Sequence, residues 1–468
     1  MFLAAAAVHY ISLARSDFAN GWDGYYYLMQ AQSFVEYGYL QSKDYSLIYP
    51  YYIVLSFIIQ DYVLAFQLGT ALLAATFSVS LFFIIYHSFH KDLGLATLGA
   101  VLTIMSPGVL FYVSQFPKNL LGIIFLSWLL YFIYKKQLGK MIMMTILCFL
   151  THRLSAGLAI MAMAVYFIHY INWKWLLIGL IGMIALTFSP GLLHISDLAR
   201  FEGAFTNDWQ FVPLEFLQSG ITGGHLLWSI EVWLIVAILL IYLIMIGHNL
   251  IKKKELGLTK VLSVIFIFVV LMPFFKFSIG SMGYRFFLLV FFGYPLLLVF
   301  LLKNIPNQLV RAVGLGLILL SPISIQAYNP AIHNAPNRLY FMIADKIQEH
   351  YDEHRYPLII AHKSLAEVII YHTDFDALNY APEIEDNKDS IARVVHGIPQ
   401  RYLKKYDEEI QNSNYLRINH QYAVISESAW EQLLRKANAL QDQQLLDLIE
   451  SGNNPMQIRP EFIKKGKE

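Results

Sequence analysis

Acidic and aromatic side chains are concentrated in one short stretch near the amino terminus. Residues 17–40, "DFANGWDGYYYLMQAQSFVEYGYL", contain Asp17, Asp23 and Glu36 among several tyrosines, directly after a first apolar stretch. A carboxylate here could serve as a general base toward a hydroxyl group. It could also cap the helix predicted after Gly24, because Asp is favoured at helix N-caps. The residues alone leave both interpretations open.

The residues after Gly24 have the spacing of a helix. Apolar side chains fall on one face, which predicts an amphipathic helix lying along a membrane surface; they are Tyr27, Ala31, Phe34 and Val35. Trp22 and Tyr25 near this helix, and Tyr284 farther along the chain, are the candidate substrate-binding residues. Aromatic rings here could stack on a sugar or lie in the headgroup belt.

Four basic residues lie at the ends of apolar segments, on the side where basic residues are uncommon. Snorkelling at the headgroup level is one explanation. The other is a phosphate-binding site, because ionisable groups near membrane depth are costly and phosphate favours cationic donors. These residues are Lys118 in "QFPKNLLG" (115–122), His152 and Arg153 in "LTHRLSAG" (150–157), and Arg285, preceded by Tyr284, in "SMGYRFFLL" (281–289).

Glycosyl transfer from a lipid phosphate is the chemistry that such a set could perform. The departing phosphate would be stabilised by Lys and Arg, and a carboxylate beside the anomeric carbon would deprotonate the acceptor hydroxyl. On this hypothesis Asp23 is the base, with Asp17 as the second candidate. The chain has no HExxH motif or Cys/His cluster, which argues against a metal-dependent hydrolase.

The composition indicates an integral membrane protein with many spans. Of 468 residues, 57% are hydrophobic and 14% are charged, and the mean hydropathy is +0.50. Typical soluble chains are about 45–50% apolar and about 25% charged. A single cysteine, Cys148, excludes an internal disulfide. No basic cluster indicates a nucleic-acid partner.

Apolar segments predict about eleven membrane-spanning helices and one short interfacial or re-entrant helix at 48–60. The first segment is short, so the true start could lie upstream of Met1. The predicted spans are 1–14, 62–88, 93–113, 119–134, 139–151, 155–170, 174–193, 226–249, 260–277, 285–302 and 308–328.

Charge distribution orients these spans and divides the chain. Residues 1–328 carry 18 Lys/Arg and 12 Asp/Glu. One orientation puts 11 of these bases in short inner loops and ten of the acids outside, which fits the positive-inside rule. The outer side then contains loop 15–47, loop 194–225 and a soluble tail, 329–468, predicted to be an extracytoplasmic α/β domain. In a Gram-negative cell this side is the periplasm.

The order of these features resembles the GT-C superfamily of membrane glycosyltransferases, in the branch with the protein O-mannosyltransferases and the lipid A aminoarabinose transferase. The matching segments are "WDGYYYLMQAQSFVEYGYL", "DYSLIYPYYIVL" (44–55), "YVSQFPKNLLGIIFLSWLLYF" (112–132) and "GYRFFLLVFFGYPLLLVFLL" (283–302). Asp23, Ala31 and Pro50 stand where the family has an acidic residue, a helix alanine and a proline-containing segment.

The resemblance implies a polyprenyl-monophosphate sugar donor, inversion at the anomeric carbon, and Asp23 as the base or its partner. Lys118 and Arg285 match phosphate-contacting cations by position in the pattern. A second acidic motif of many relatives is absent, because its place reads "QFPKN", so the need for a divalent cation stays open. The sugar and the acceptor, whether lipid, glycan or protein, stay open as well.

Two rival functions fit parts of the pattern. An O-antigen polymerase or ligase would use a diphosphate-linked donor and an outer loop such as 194–225, with His194 and Arg200. A transporter or flippase would have internal repeats, broken helices and polar residues near the midplane. No internal repeat is found in the sequence.

Overall fold

A computed structural model provides the structure of the chain. It divides into two compact units: Met1–Arg15, Ser46–Ile48 and Thr70–Pro330 form the first, and Ser16–Tyr45, Tyr49–Gly69 and Ala331–Glu468 form the second. The residues that it describes are 1–21, 23–40, 46–88, 91–170, 210–211, 226–251, 275–276, 289–304, 340–345, 348, 358–361, 363–373, 377–379, 415–419 and 422–425.

The described part is mainly helical. Its helices are α1 (Phe2–Leu13), α2 (Gly24–Tyr37), α3 (Ile48–Ile59), α4 (Tyr62–Ser88), α5 (Leu93–Met105), α6 (Pro107–Gln115), α7 (Pro117–Lys135), α8 (Leu138–Thr151), α9 (Arg153–Tyr170), α10 (Leu226–Ile251), α11 (Val290–Asn304) and α12 (Lys363–His372). Its strands are β1 (Gln210–Phe211), β2 (Phe275–Lys276), β3 (Leu358–Ala361), β4 (Ala377–Asn379), β5 (Tyr415–Asn419) and β6 (Tyr422–Ile425).

Apolar helices in the described residues are suited to a membrane. Helices α4 and α7 are long and apolar enough to cross a bilayer, and α5 with α6 would make a third span if the pair counts as one. Helix α4 has the bounds predicted for a span, 62–88. The predicted total of about eleven spans stays a prediction, because 174–193 and 308–328 lie outside the described residues. Of the predicted span 260–277, the structure describes only Phe275–Lys276, which form strand β2 at its end.

The predicted span 93–113 is divided between two helices. Helices α5 and α6 meet at Ser106 with a bend of 57°. The Ser106 hydroxyl accepts a hydrogen bond from the Val109 amide at 3.0 Å, and Pro107 stands at the first helical position. Both residues favour the start of a new helix, and proline cannot donate a hydrogen bond to the preceding turn.

Helices α7, α8 and α9 of the first unit pack against one another in sequence. A short connection at Lys136 and Gln137 joins α7 to α8, and His152 alone joins α8 to α9. A Cβ on Gly122 of α7 would lie close to both His152 and Ser155. The first turns of α7 and α9 are therefore close together, at one end of the group.

The second unit joins the first predicted loop to part of the tail. Helix α2 packs on α12, and α12 connects the parallel strands β3 and β4. The sheet has the order β4-β3-β6-β5, with β6 antiparallel to both of its neighbours. The sequence predicts strands in "YPLIIAH" (356–362) and "QYAVIS" (421–426), which contain β3 and β6, and a helix over "KSLAEVIIYH", which is α12. The second predicted helix, "ESAWEQLLRKANAL", lies outside the described residues, as does most of 329–468, so a complete α/β domain remains a prediction.

Helix α2 differs from the predicted amphipathic surface helix. Its amino-terminal half is buried on every side, whereas Phe34 and Tyr37 in the second half are exposed. Rings of other elements surround the buried half, with Tyr49 and Phe66 close to Tyr27. The helix is therefore an element of the protein interior at its start and a surface element at its end.

Candidate functional site

Asp23 lies in a tight turn that two glycines make possible. Gly21 has φ 89°, a left-handed conformation that favours glycine. The Gly24 amide donates a hydrogen bond of 3.4 Å to the Gly21 carbonyl, which closes the turn. A Cβ on Gly24 would stand 3.1 Å from both the carbonyl carbon and the Cβ of Ala19. The backbone around Asp23 is therefore fixed by close approach and by an unusual φ.

The Asp23 carboxylate does not cap the helix that follows. Asp23 is the N-cap residue of α2, but its side chain accepts no capping hydrogen bond. The N-cap interpretation of Asp23 is therefore not the explanation for this carboxylate. Asp17, the second predicted candidate, is exposed.

The buried side chain of Tyr25 contacts the backbone of this turn. Its hydroxyl accepts a hydrogen bond from the Ala19 amide at 3.3 Å, and the residue is only 3% exposed. Burial raises the pKa of Tyr25 well above its usual value, so the phenol stays neutral at physiological pH. Its predicted role in substrate binding remains a prediction.

The first unit brings three of the predicted phosphate-contacting residues to one end of the α7–α8–α9 group. Lys118 is in the first turn of α7, and His152 and Arg153 stand where α9 begins. Lys118 and Gly122 share a face of α7, since residues four apart in a helix are neighbours. A Cβ on Gly122 would collide with the Ser155 hydroxyl and would lie 3.4 Å from the His152 Cβ. The face that carries Lys118 is thus packed closely against the start of α9.

Two hydrogen bonds fix the turn that carries His152 and Arg153. The Ser46 hydroxyl donates to the Thr151 carbonyl at 2.8 Å, and the Leu47 amide donates to the Leu150 carbonyl at 3.1 Å. These carbonyls belong to the last turn of α8, where helix carbonyls have no partner within the helix. The residues before α3 therefore satisfy the end of α8 and hold the following turn.

The hydrogen bonding of His152 sets its tautomer. Its Nδ1 accepts a hydrogen bond from the Leu154 amide at 3.2 Å. A neutral ring with an accepting Nδ1 carries its proton on Nε2, which is then a donor. Backbone amides at the start of α7 and α9 add partial positive charge at this end. Lys118 and His152 are half-buried and Arg153 is exposed, so this end is a basic surface suited to an anion.

The predicted site residues fall into three groups. Asp17, Asp23 and Tyr25 belong to the second unit, and Lys118, His152 and Arg153 belong to the first. Trp22, Tyr284 and Arg285 lie outside the described residues, as do His194 and Arg200. Within the described ranges, no group of three or more His, Cys, Asp or Glu could hold a metal ion.

A partly buried polar cluster of the first unit was not predicted from the sequence. One Glu231 carboxylate oxygen accepts from the Gly108 amide at 3.1 Å, and the other accepts from the Tyr294 hydroxyl at 3.3 Å. Ser106 also hydrogen-bonds this carboxylate. The cluster lies at the bend between α5 and α6, and the "SPG" sequence at 106–108 was the local signal for that bend.

In comparisons with known proteins, no protein-family model matches the chain, and no curated protein matches it significantly.

Proposed function

We propose that the chain is a membrane glycosyltransferase that moves a sugar from a polyprenyl-monophosphate donor to an extracytoplasmic acceptor. The proposal includes about eleven membrane spans and an extracytoplasmic α/β domain formed by 329–468. It puts the reaction on the outer, periplasmic side of the inner membrane. The described apolar helices support membrane association.

In the proposed reaction, Asp23 takes the proton of the acceptor hydroxyl. The hydroxyl oxygen attacks the anomeric carbon from the face opposite the phosphate, and the bond between that carbon and the phosphate oxygen breaks. The lipid monophosphate leaves with the electron pair of that bond and with inversion at the anomeric carbon. Lys118, His152, Arg153 and Arg285 would stabilise its charge.

The observation that carries the proposal is the basic end of the α7–α8–α9 group. The start of α7 and the start of α9 each have a cationic residue and first-turn amides, an arrangement suited to a lipid phosphate. Close packing at Gly122 and the hydrogen bonds of Ser46 make this arrangement rigid. The Asp23 turn adds a carboxylate that is not used as a helix cap.

A transporter is a second candidate, and one observation favours it. Helices α5 and α6 form a broken pair with a half-buried carboxylate, Glu231, at the break. Transporters use discontinuous helices of this kind around their substrate sites. The Glu231 carboxylate receives hydrogen-bond donors here, which also fits a purely structural role in holding the bend.

Transfer from a panel of labelled polyprenyl-phosphate sugars tests the proposal. Membranes would contain the wild type, Asp23→Asn, or Asp17→Asn as the matched control in the same loop. We expect one donor to be used by the wild type and Asp17→Asn, and a loss of roughly 10²–10⁴-fold in Asp23→Asn at equal protein level. Lys118→Ala and Arg153→Ala should weaken use of that donor.

Two results would overturn the proposal. Full activity in Asp23→Asn would show that Asp23 is not the general base. No transfer from any monophosphate donor would exclude the proposed reaction. Uptake or lipid flipping in proteoliposomes would then test the transporter candidate, with Glu231→Gln as the variant.

A further inference from the structure

The chain around Asp23 is contacted by a residue far away in the sequence. Phe341, in the helical residues 340–345, has its ring centroid 5.2 Å from that of Phe18 and 5.2 Å from that of Tyr25. Phe18 precedes the Asp23 turn and Tyr25 follows it, so one side chain contacts the chain on both sides of the turn. All of these residues belong to the second unit.

A second aromatic residue contacts the turn from α12. The Tyr371 ring centroid lies 5.2 Å from that of Tyr25. The next residue, His372, has its ring 4.7 Å from Phe341, and its Nε2 lies 2.7 Å from the Asp345 carboxylate. These contacts connect the two tail segments to each other. Phe341 and Tyr371 therefore contact Tyr25 from two tail segments that are packed against each other.

Tyr25 is connected to the Asp23 turn by a hydrogen bond and by the close approach of Gly24 to Ala19. The Tyr25 hydroxyl accepts a hydrogen bond from the Ala19 amide, and Gly24 packs against Ala19. Tyr25 thus links the tail to both ends of the turn that contains Asp23. Aromatic pairs at these centroid distances are in the range of favourable ring interactions.

We infer that Phe341 is a positioning residue for the Asp23 turn, with Tyr371 as its partner, so that the carboxy-terminal segment orders the proposed general base. The inference rests on the proposed function for the role of Asp23 in transfer. The ordering of the turn itself is a property of the folded chain and can be measured without any substrate.

The test compares full-length Phe341→Ala with Met342→Ala, a matched control at the next position, where the side chain is 52% exposed. Hydrogen exchange of residues 17–27 is measured in detergent, and transfer is measured with the donor used by the wild type. We expect exchange to rise at least tenfold in Phe341→Ala and to stay unchanged in Met342→Ala. We also expect kcat to fall at least tenfold with little change in the donor KM, because the phosphate contacts are made by other residues.

Conservative variants keep the inference falsifiable. Phe341→Tyr retains the ring and should restore both exchange protection and kcat. Phe341→Leu retains bulk without the ring contacts, and it replaces Phe341→Ala in the comparison if that variant does not fold. Unchanged exchange in a folded variant that lacks the ring would overturn the inference. A wild type inactive with every donor would overturn the proposed function, while the exchange measurement would still decide whether Phe341 orders the turn.

Discussion

At the scale of single residues, the Asp23 turn depends on glycine conformation. Gly21 and Gly38 both have positive φ, 89° and 80°, before and after α2. We expect Gly21→Ala and Gly38→Ala each to cost about 1–2 kcal/mol in the free energy of unfolding, because a Cβ is unfavourable in this region. Only Gly21→Ala should also reduce transfer, since Gly21 shapes the turn that carries Asp23.

Thermal unfolding in detergent and the transfer assay check this pair. Gly38→Ala serves as the control for backbone strain, because it changes the same conformation at the other end of α2. Equal loss of activity in both variants would mean that stability, and not the shape of the Asp23 turn, limits transfer.

Glu231 gives the second prediction at this scale. Glutamine in its place keeps the shape but has one acceptor oxygen, whereas Glu231 accepts from Gly108 with one oxygen and from Tyr294 with the other. We expect Glu231→Gln to cost about 1–3 kcal/mol, because a buried donor loses its partner. Glu36→Gln is the control, since Glu36 is exposed and accepts from Gln32. Equal melting temperatures for the two variants would contradict the role of Glu231 in holding the bend.

At the scale of secondary-structure elements, the contact between α7 and α9 carries the third prediction. A Cβ on Gly122 would lie 2.8 Å from the Ser155 Cβ, whereas one on Gly157 would have nothing within 4 Å. We expect Gly122→Ala to lower the melting temperature and raise the donor KM several-fold, because α9 must move away from Lys118. Gly157→Ala should be neutral or stabilise by about 1 kcal/mol, as alanine favours helices.

The two alanine variants are compared by thermal unfolding and donor titration. Because both glycines lie in helices of the same group, helix propensity acts in the same direction on each. A Gly122→Ala protein with the stability and KM of Gly157→Ala would show that the close approach is not needed.

The elements differ in how far the sequence could predict them. Helices α4 and α12 have the predicted bounds, because each is a continuous pattern with local start and stop signals. The bend at Ser106 was not predicted, because the residues on both sides of it are apolar and read as one continuous span. Only Ser106 and Pro107 indicate that a new helix starts there. The pairing of Gly108 with Glu231 joins residues 123 positions apart, and no local pattern encodes it.

Local patterns also limited the prediction for the site. A helix after Gly24 was confirmed, but the burial of its first half depends on α12, which comes more than 300 residues later. The predicted order of the spans put Lys118, His152 and Arg153 on the same side, and the packing of α7 with α9 brings them to one end of the group. Their shared role in binding phosphate remains a prediction. Their meeting with Asp23 remains a prediction, since Asp23 belongs to the other unit.

At the scale of the whole molecule, the packing of α2 on α12 constrains the membrane topology. Two segments that fold into one unit lie on the same side of a membrane, so the chain between them crosses it an even number of times. The sequence predicts ten spans between α2 and the tail, which is an even number. An odd number of crossings in this region would be incompatible with the contact between Tyr25 and Tyr371.

Labelling with a membrane-impermeant maleimide tests this topology in intact cells. In a Cys148→Ala background, we expect Tyr39→Cys and Met342→Cys to label equally from outside, because both positions are exposed and belong to the same unit. Gly139→Cys, beside the predicted inner loop with nothing within 4 Å of its Cβ, should label only after the cells are opened. Labelling of Tyr39→Cys without Met342→Cys would place the two segments on opposite sides and refute the packing of α2 on α12. Labelling of Gly139→Cys from outside would leave that packing intact and overturn the proposed orientation of the α7–α8 turn.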